Sequence, residues 1–172
     1  IGDHPHAFQR GSGGQQAAVV SGDGREYSIE AGIDDLLVLK TTDSGWSGFL
    51  REQYTTLPET DDRILATVIT ALWRYSPVDA FDYTAVWHRV RAMILEAFGD
   101  HYSPSVQFTL RRIGEAVLDA CDEIERIHLS LPNRHQLLVD LGRFGLANDN
   151  EIFHATTEPY GLIEGTVERV PD

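Results

Sequence analysis

The periodicity of the apolar residues changes twice along the chain, and this restricts the fold more than any other feature. Residues 36–42 and 63–73 show the apolar runs and alternation that are typical of β-strands. Apolar residues then recur every three or four positions over 83–97 and 106–121, as on one face of a helix. Strand-like spacing returns over 127–131, continues after Pro132 to Leu141, and appears again over 152–154 and 161–167. The predicted order is therefore β-β-α-α-β-β.

This order predicts an α+β fold, in which two antiparallel hairpins joined by two helices form a four-stranded antiparallel sheet with both helices on one face. Pro77 is predicted to end the second strand, and Gly99 is predicted to end the first helix. Ser103 and Pro104 predict the start of the second helix, with Ser103 as the N-cap residue. The long strands lack a Pro or Lys guard at their edges, which favours pairing with other copies and hence an oligomer.

Residues 1–31 differ from the rest of the chain because they are punctuated by glycine. Turn-like clusters flank the short apolar run Ala17–Val20. We interpret this region as the closing hairpin of a preceding domain, since one hairpin cannot form a core alone. Residues 32–168 are predicted to form a complete domain and residues 169–172 a tail. The opening at Ile1, without an initiator Met, suggests a fragment or a processed chain.

Charge and composition argue against several classes of protein. The chain carries 14 Lys and Arg against 27 Asp and Glu, a formal net charge of -13 with no basic stripe, so it should repel nucleic acid. No apolar run is long enough to cross a bilayer, so no membrane partner is expected. The single cysteine, Cys121, lies among apolar residues and is predicted to be a buried hydrophobe. A reducing, cytoplasm-like compartment fits this.

The histidines do not form a pattern that predicts a metal site. His4 and His6 have the spacing of a ligand pair, but two ligands alone are a weak signal. Four others are scattered along the chain, at His88, His101, His128 and His154. No bound metal is therefore predicted.

Several segments closely resemble the motifs of the urate oxidase (uricase) family, in the family's order and with similar spacing. The segments are Asp3–Phe8, Lys40–Phe49, Tyr54–Thr60, Asp62–Thr67, Ser103–Gln107, Leu131–His135 and Pro159–Ile163. The resemblance implies two tandem tunnelling-fold (T-fold) domains, of which this chain would be the C-terminal half. It further implies a homotetramer built around a tunnel, with active sites at the subunit interfaces. The implied reaction converts urate, O2 and water to 5-hydroxyisourate and H2O2, with no metal or organic cofactor.

The resemblance also assigns the residues that bind the substrate. Arg63 stands at the position of the family's substrate clamp, and a guanidinium offers a planar fork to the urate anion. Gln107 stands at that of the glutamine that reads the opposite edge of the purine, and Val106 at that of a backbone N–H donor. Both would lie in the first turn of the second helix, where free N–H groups favour an anion. Trp46 occupies a position that is more often Phe in the family and should stack on the purine ring.

Asn133 and His135 match the family's catalytic Asn-x-His motif. By resemblance, Asn133 contacts the substrate and holds O2 or the attacking water, and His135 belongs to a proton-relay network. Residues i and i+2 of a strand point the same way, so the two side chains should lie together above the ring. The unperturbed pKa of histidine suits proton transfer near neutral pH.

Some functional residues of the family have no counterpart in this chain. The Lys and Thr of the relay, and a Thr-Asp pair supplied by a neighbouring subunit, come from the N-terminal domain. We therefore expect this chain alone to be inactive or nearly so. Two alternatives remain: a zinc-dependent T-fold enzyme acting on a pterin or purine, and a non-catalytic half that completes a tetramer. The C-terminal residues lack the peroxisomal Ser-Lys-Leu signal, so the bacterial cytoplasm is the expected compartment.

Overall fold

The computed structural model describes residues 1–77, 81–158 and 160–170. Pro159, which belongs to one of the motifs above, and residues 171–172 of the predicted tail lie outside the described residues. The strands and helices, in chain order, are β1 (Ala7–Gln9), β2 (Gln15–Gly22), β3 (Tyr27–Lys40), β4 (Leu65–Tyr75), α1 (Tyr83–Gly99), α2 (Val106–Ala120), β5 (Ile124–Ser130), β6 (Asn133–Arg134), β7 (Gln136–Leu138), β8 (Phe153–Ala155) and β9 (Glu164–Glu168).

The predicted α+β architecture is confirmed. Strands β3, β4, β5 and β9 are hydrogen-bonded in that order and are antiparallel throughout. β1 and β2 both pair with β3, and β6 pairs with β4. Both helices contribute buried side chains to the same core cluster as the sheet. The central four strands and two helices are the β-β-α-α-β-β unit that the periodicity predicted.

The apolar alternation of β4 explains where the core lies. Leu65, Ile69 and Trp73 are fully buried, whereas Thr70 on the opposite face is exposed. Trp87 of α1 donates its indole N–H to a backbone carbonyl of β3 over 2.9 Å, which satisfies the polar atom of a buried aromatic ring. The helices therefore cover the face of β4 that carries its odd-numbered residues.

Cys121 is a buried free thiol at the end of α2, as predicted. Burial raises the pKa of this thiol and so keeps it protonated. Among the helices of the described residues, none has both the length and the apolar character that a bilayer crossing requires.

β5 and β6 form one ladder that is interrupted at Pro132. Ser130 pairs with Thr70 and Asn133 pairs with Thr67, so the register on β4 is unchanged across the interruption. On the other side, the N–H of Asn133 donates to the carbonyl of Gly161 over 2.8 Å. Proline lacks an N–H, which accounts for the break without a change of direction.

The predicted continuation of this strand to Leu141 is wrong. The chain leaves β4 after Arg134, and Gln136–Leu138 pairs instead with β8 in a separate two-stranded sheet. The amino-acid pattern could not distinguish the two partners, because an alternating segment is compatible with either sheet.

The assignment of Ser103 as the N-cap of the second helix is also wrong. α2 begins at Val106 and is capped by Ser105, whose Oγ accepts the N–H of Phe108 over 3.2 Å. The N–H of Ser103 instead donates to the carbonyl of Asp43 over 2.8 Å, which ties this residue to the preceding loop. Pro104 therefore precedes the cap and does not open the helix.

β3 is longer than predicted and begins before the proposed domain boundary. Its first half pairs with β2, and its second half pairs with β1. A bulge interrupts its pairing with β4 between Ile33 and Leu36, and Asp35 there has a φ of 53°. The strand runs without a break through residues 31 and 32.

Candidate active site

The loop between β3 and β4 is bound to the start of α2 by backbone hydrogen bonds. Gly45 donates to the carbonyl of Ser103 over 2.8 Å, and Ser103 donates to Asp43 over 2.8 Å. Trp46 and Thr60 exchange hydrogen bonds of 2.7 and 3.0 Å across the loop. Gly45, the residue before Trp46, thus contacts the segment that leads into α2. The predicted stacking residue Trp46 therefore lies next to that contact.

Arg63 is hydrogen-bonded to the same loop through its backbone N–H and through the Nε of its guanidinium. Its backbone N–H donates to Ser44 over 2.8 Å, and its Nε donates to the carbonyl of Gly45 over 3.0 Å. Its Nη2 atom is buried and has no hydrogen-bond partner in the part of the chain that the structure describes. Burial lowers the pKa of the guanidinium, but an arginine stays protonated in proteins. The guanidinium of Arg63 is thus held in one orientation, and its Nη2 can donate a hydrogen bond to a ligand.

The first turn of α2 offers further donors next to this loop. Val106 is buried, whereas the side chain of Gln107 is exposed. The first N–H groups of a helix have no acceptor within the helix, and Ser105 satisfies that of Phe108. The N–H groups of Val106 and Gln107 therefore remain for an acceptor outside the helix.

Asn133 lies on the β4 ladder, opposite Thr67. Residues that are directly opposed in a sheet point to the same face, so Asn133 shares the helix-covered face with Thr67. The hydroxyl of Thr67 is buried and lacks a hydrogen-bond partner among the described residues. Asn133 and Arg63, which lies two residues before β4, are therefore at the same end of the sheet.

His135 is held differently from Asn133. β6 ends at Arg134, and the carbonyl of His135 accepts hydrogen bonds from the N–H and Oγ of Thr156 over 3.0 and 3.1 Å. His135 is therefore outside the strand, and strand alternation does not set the direction of its side chain. The prediction that Asn133 and His135 point the same way as residues i and i+2 of one strand does not apply. The half-buried His135 stands between the main sheet and the β7–β8 pair.

The side chain of Trp46 is supported from one face. Its ring stacks on that of Phe49, with centroids 5.2 Å apart and an interplanar angle of 16°. The guanidinium of Arg51 lies 5.5 Å from the centre of the Phe49 ring. An aromatic ring that is stacked on one side is held in one orientation.

Lys40 is a buried cation near this site that the sequence analysis did not single out as functional. Its Nζ donates to the carbonyl of His101 over 2.6 Å and lies 5.7 Å from the centre of the Phe98 ring. Burial, assisted by the charge of Arg63 and opposed by that of Asp43, lowers the pKa of Lys40 to about 8. The available signal was a lysine directly after the apolar run of β3, at a position that continues the buried face.

Comparison with known proteins identifies the family. The profile of the uricase family matches residues 29–164. The chain belongs to the uricase family. It is 48% identical to the uricase of Arthrobacter globiformis over 169 residues, which is 98% of this chain and 56% of that protein. It is 44% identical to the uricase of Oryctolagus cuniculus over 146 residues, which is 82% of this chain and 49% of that protein. The chain thus spans about half the length of these uricases.

Solved uricase structures agree with the fold. The crystal structure of the Arthrobacter globiformis uricase matches 98% of this chain and 58% of that one, with a TM-score of 0.89 and 48% identity. A urate oxidase structure from Bacillus sp. TB-90 matches 92% of this chain and 55% of that one, with a TM-score of 0.74 at 18% identity. The second match supports the architecture alone. The family and the T-fold architecture predicted from the motifs are confirmed.

Proposed function

We propose that this chain is the C-terminal half of a urate oxidase. The proposed reaction converts urate, O2 and water to 5-hydroxyisourate and H2O2. The observation that carries the proposal is the guanidinium of Arg63, which lies beside Trp46 and the start of α2. Its Nε is hydrogen-bonded, whereas its buried Nη2 has no partner among the described residues. A cation, an aromatic face and free helix N–H groups together suit a flat oxopurine anion.

In this proposal, Arg63 binds one edge of urate, and Gln107 with the N–H of Val106 binds the opposite edge. Trp46 stacks on the ring and fixes its plane. A buried donor that lacks a partner costs about 1–3 kcal/mol, so a ligand oxygen at Arg63 Nη2 would remove this cost. The binding groups are therefore arranged before the substrate arrives.

The chemistry begins with removal of a second proton from the bound urate monoanion. The resulting dianion reduces O2 directly, and the two recombine at C5 to give a hydroperoxide. A water molecule held near Asn133 then replaces peroxide, which leaves as H2O2. His135 takes part in moving the protons, a role suited to an imidazole. In this proposal the protein supplies orientation and charge, and the substrate supplies the electrons, so no cofactor is used.

The base that removes the second proton is proposed to come from an N-terminal T-fold half. In the complete protein, residues 1–31 would belong to the first domain, which this half supplies, and residues 32–168 would form the second domain. Copies of the complete chain would assemble into a homotetramer. The proposed compartment is the bacterial cytoplasm. The chain alone is therefore expected to turn over urate slowly or not at all.

The test measures urate decay by this chain with and without a separate N-terminal half, taken from the Arthrobacter globiformis uricase. We expect activity only when both are present. Arg63→Ala should then weaken binding of the urate analogue 8-azaxanthine by about 2–5 kcal/mol, the range for losing one partner of a buried charged pair. Arg111→Ala is the matched control, because Arg111 is an exposed arginine of α2 paired with Glu115. Undiminished turnover in the Arg63→Ala assembly would refute the assignment.

A further inference from the structure

Beneath the first turn of α2 lies a set of polar residues joined by hydrogen bonds, which we call the α2 network: Lys40, His101, Ser103 and Thr109. Three of them, Lys40, Ser103 and Thr109, are fully buried. Burying polar groups is unfavourable unless they are hydrogen-bonded, so a continuous buried network fixes its members in one arrangement.

The members of the α2 network are joined at short distances. His101 Nε2 and Thr109 Oγ1 are 2.9 Å apart, and Thr109 Oγ1 and Ser103 Oγ are 2.7 Å apart. The hydroxyl of Ser103 also lies 3.1 Å from the carbonyl of Ser105, the N-cap residue of α2. Lys40 contributes the hydrogen bond to the His101 carbonyl, from the end of β3. The network therefore connects the sheet to the helix start.

The hydrogen bonds have a defined direction at Thr109. His101 Nδ1 faces the carbonyl of Ala97 at 2.7 Å and must therefore carry a proton. Burial and the charge of Lys40 lower the pKa of His101, which favours the neutral ring, so its Nε2 accepts the proton of the Thr109 hydroxyl. The oxygen of the same hydroxyl accepts from Ser103, whose single proton is shared between Thr109 Oγ1 and the carbonyl of Ser105. Only a side chain that both donates and accepts a hydrogen bond at position 109 can join His101 to Ser103.

The network lies between the two parts of the proposed urate site. On one side, Ser103 binds Gly45 through its backbone, and the carbonyl of Gly45 holds Arg63 Nε. On the other side, Ser105 opens the helix turn that carries Val106 and Gln107. A shift of Ser103 would therefore change the distance between the guanidinium and the helix donors, which must grip opposite edges of one rigid ring.

We propose that Thr109, acting with His101 and Ser103, is a positioning residue that sets the spacing between Arg63 and the first turn of α2 and thereby the affinity for urate. This inference rests on the proposed function. Thr109 touches no substrate atom in this scheme and acts only through Ser103 and the helix start.

The test compares Thr109→Val with Thr109→Ser in the chain assembled with its N-terminal half, with KM and kcat for urate and the Kd of 8-azaxanthine as readouts. Valine keeps the shape and removes the hydroxyl, whereas serine keeps the hydroxyl and removes a methyl group. We expect Thr109→Val to raise KM and Kd about tenfold, a size expected for one lost buried hydrogen bond. Thr109→Ser should stay within about twofold of the unmodified protein, with kcat less affected than KM in both.

Thr166→Val is the matched control. Its hydroxyl bonds a histidine, His128, at 3.0 Å, but this pair is on β9 and β5 at an exposed position. It should leave KM unchanged. The inference is overturned if Thr109→Val binds like the unmodified protein, or if Thr109→Ser is impaired as strongly as Thr109→Val, which would indicate packing and not the hydroxyl.

A second variant covers the case in which Thr109→Val does not fold. Ser103→Ala removes the other end of the same hydrogen bond with little change in volume, and it should also raise KM; an unchanged KM would overturn the inference. The unmodified assembly separates the two proposals. If it does not oxidise urate, the proposed function fails and the inference fails with it, whereas an active assembly with insensitive variants refutes only the inference.

Discussion

At the scale of single residues, Arg63 and Lys40 place two largely buried cations at one end of the sheet. Lys40 pairs with Leu65, two residues after Arg63, and the charge of Arg63 helps to lower the pKa of Lys40. The chain as a whole has a formal net charge of -13. These two cations oppose the global charge locally, and a small anion bound beside them is stabilised by their charge.

Lys40 allows a prediction about pH and stability. Its pKa is about 8 in the fold against 10.5 for the free side chain, so the unfolded chain holds this proton more tightly. The cost of burying the charge is present below pH 8 and is relieved as pH rises toward 10.5. Relative to Lys40→Met, the unmodified chain should gain up to roughly 3 kcal/mol in unfolding free energy over this interval. Urea unfolding of both at several pH values measures the difference, and a constant difference would contradict the prediction.

Trp46 allows a prediction about ligand stacking. Its ring stacks on that of Phe49, which holds it in one orientation, and in the proposed site a purine stacks on its other face. Trp46→Ala should weaken binding of 8-azaxanthine to the assembled protein by roughly 1–3 kcal/mol, as for other base–aromatic stacks. Trp46→Phe should retain most of the affinity, since a smaller ring still stacks. Calorimetric titration of the three proteins decides this, and equal affinity of the alanine variant would exclude stacking at this position.

At the scale of elements, the start of α2 separates stability from binding. Ser105→Ala removes the cap on Phe108 and should cost about 1 kcal/mol of stability. Aspartate caps a helix as well as serine does, so Ser105→Asp should unfold like the unmodified chain. Its carboxylate would, however, lie at the N–H groups proposed for the urate anion and should weaken analogue binding. Denaturation and binding measurements on both variants test this split, which tight binding by Ser105→Asp would contradict.

The same element shows what could be predicted from the sequence. The helical spacing of Val106, Leu110, Ile113 and Val117 identified α2 and its buried face correctly. Its start was misassigned by two residues, because serines flank Pro104 on both sides and the choice depends on a tertiary bond from Ser103 to Asp43. The burial of Lys40 was not predicted for a related reason. Burial of a lysine depends on an acceptor, the carbonyl of His101, that lies 61 residues away.

At the scale of the whole molecule, β2 is a strand that pairs with β3 but has no other element packed on its faces among the described residues. All eight of its residues are exposed, including the apolar run Ala17–Val20, so neither of its faces is covered. Val20 exposes 65% of its surface. An apolar strand with both faces and one edge open is a template for association, and soluble proteins normally cover it. This is the physical basis for expecting the N-terminal half and further copies at this edge.

Replacing Val20 by Lys tests this expectation. The side chain is exposed, so the substitution should leave the unfolding free energy of the chain within about 0.5 kcal/mol. A charge in the proposed contact should nevertheless reduce association with the N-terminal half and the mass of the assembly, measured by light scattering. Val170→Lys is the control, because Val170 exposes 87% of its surface and follows the last strand. If both variants assemble like the unmodified chain, β2 does not lie in the contact, and the covering of its apolar run must come from elsewhere.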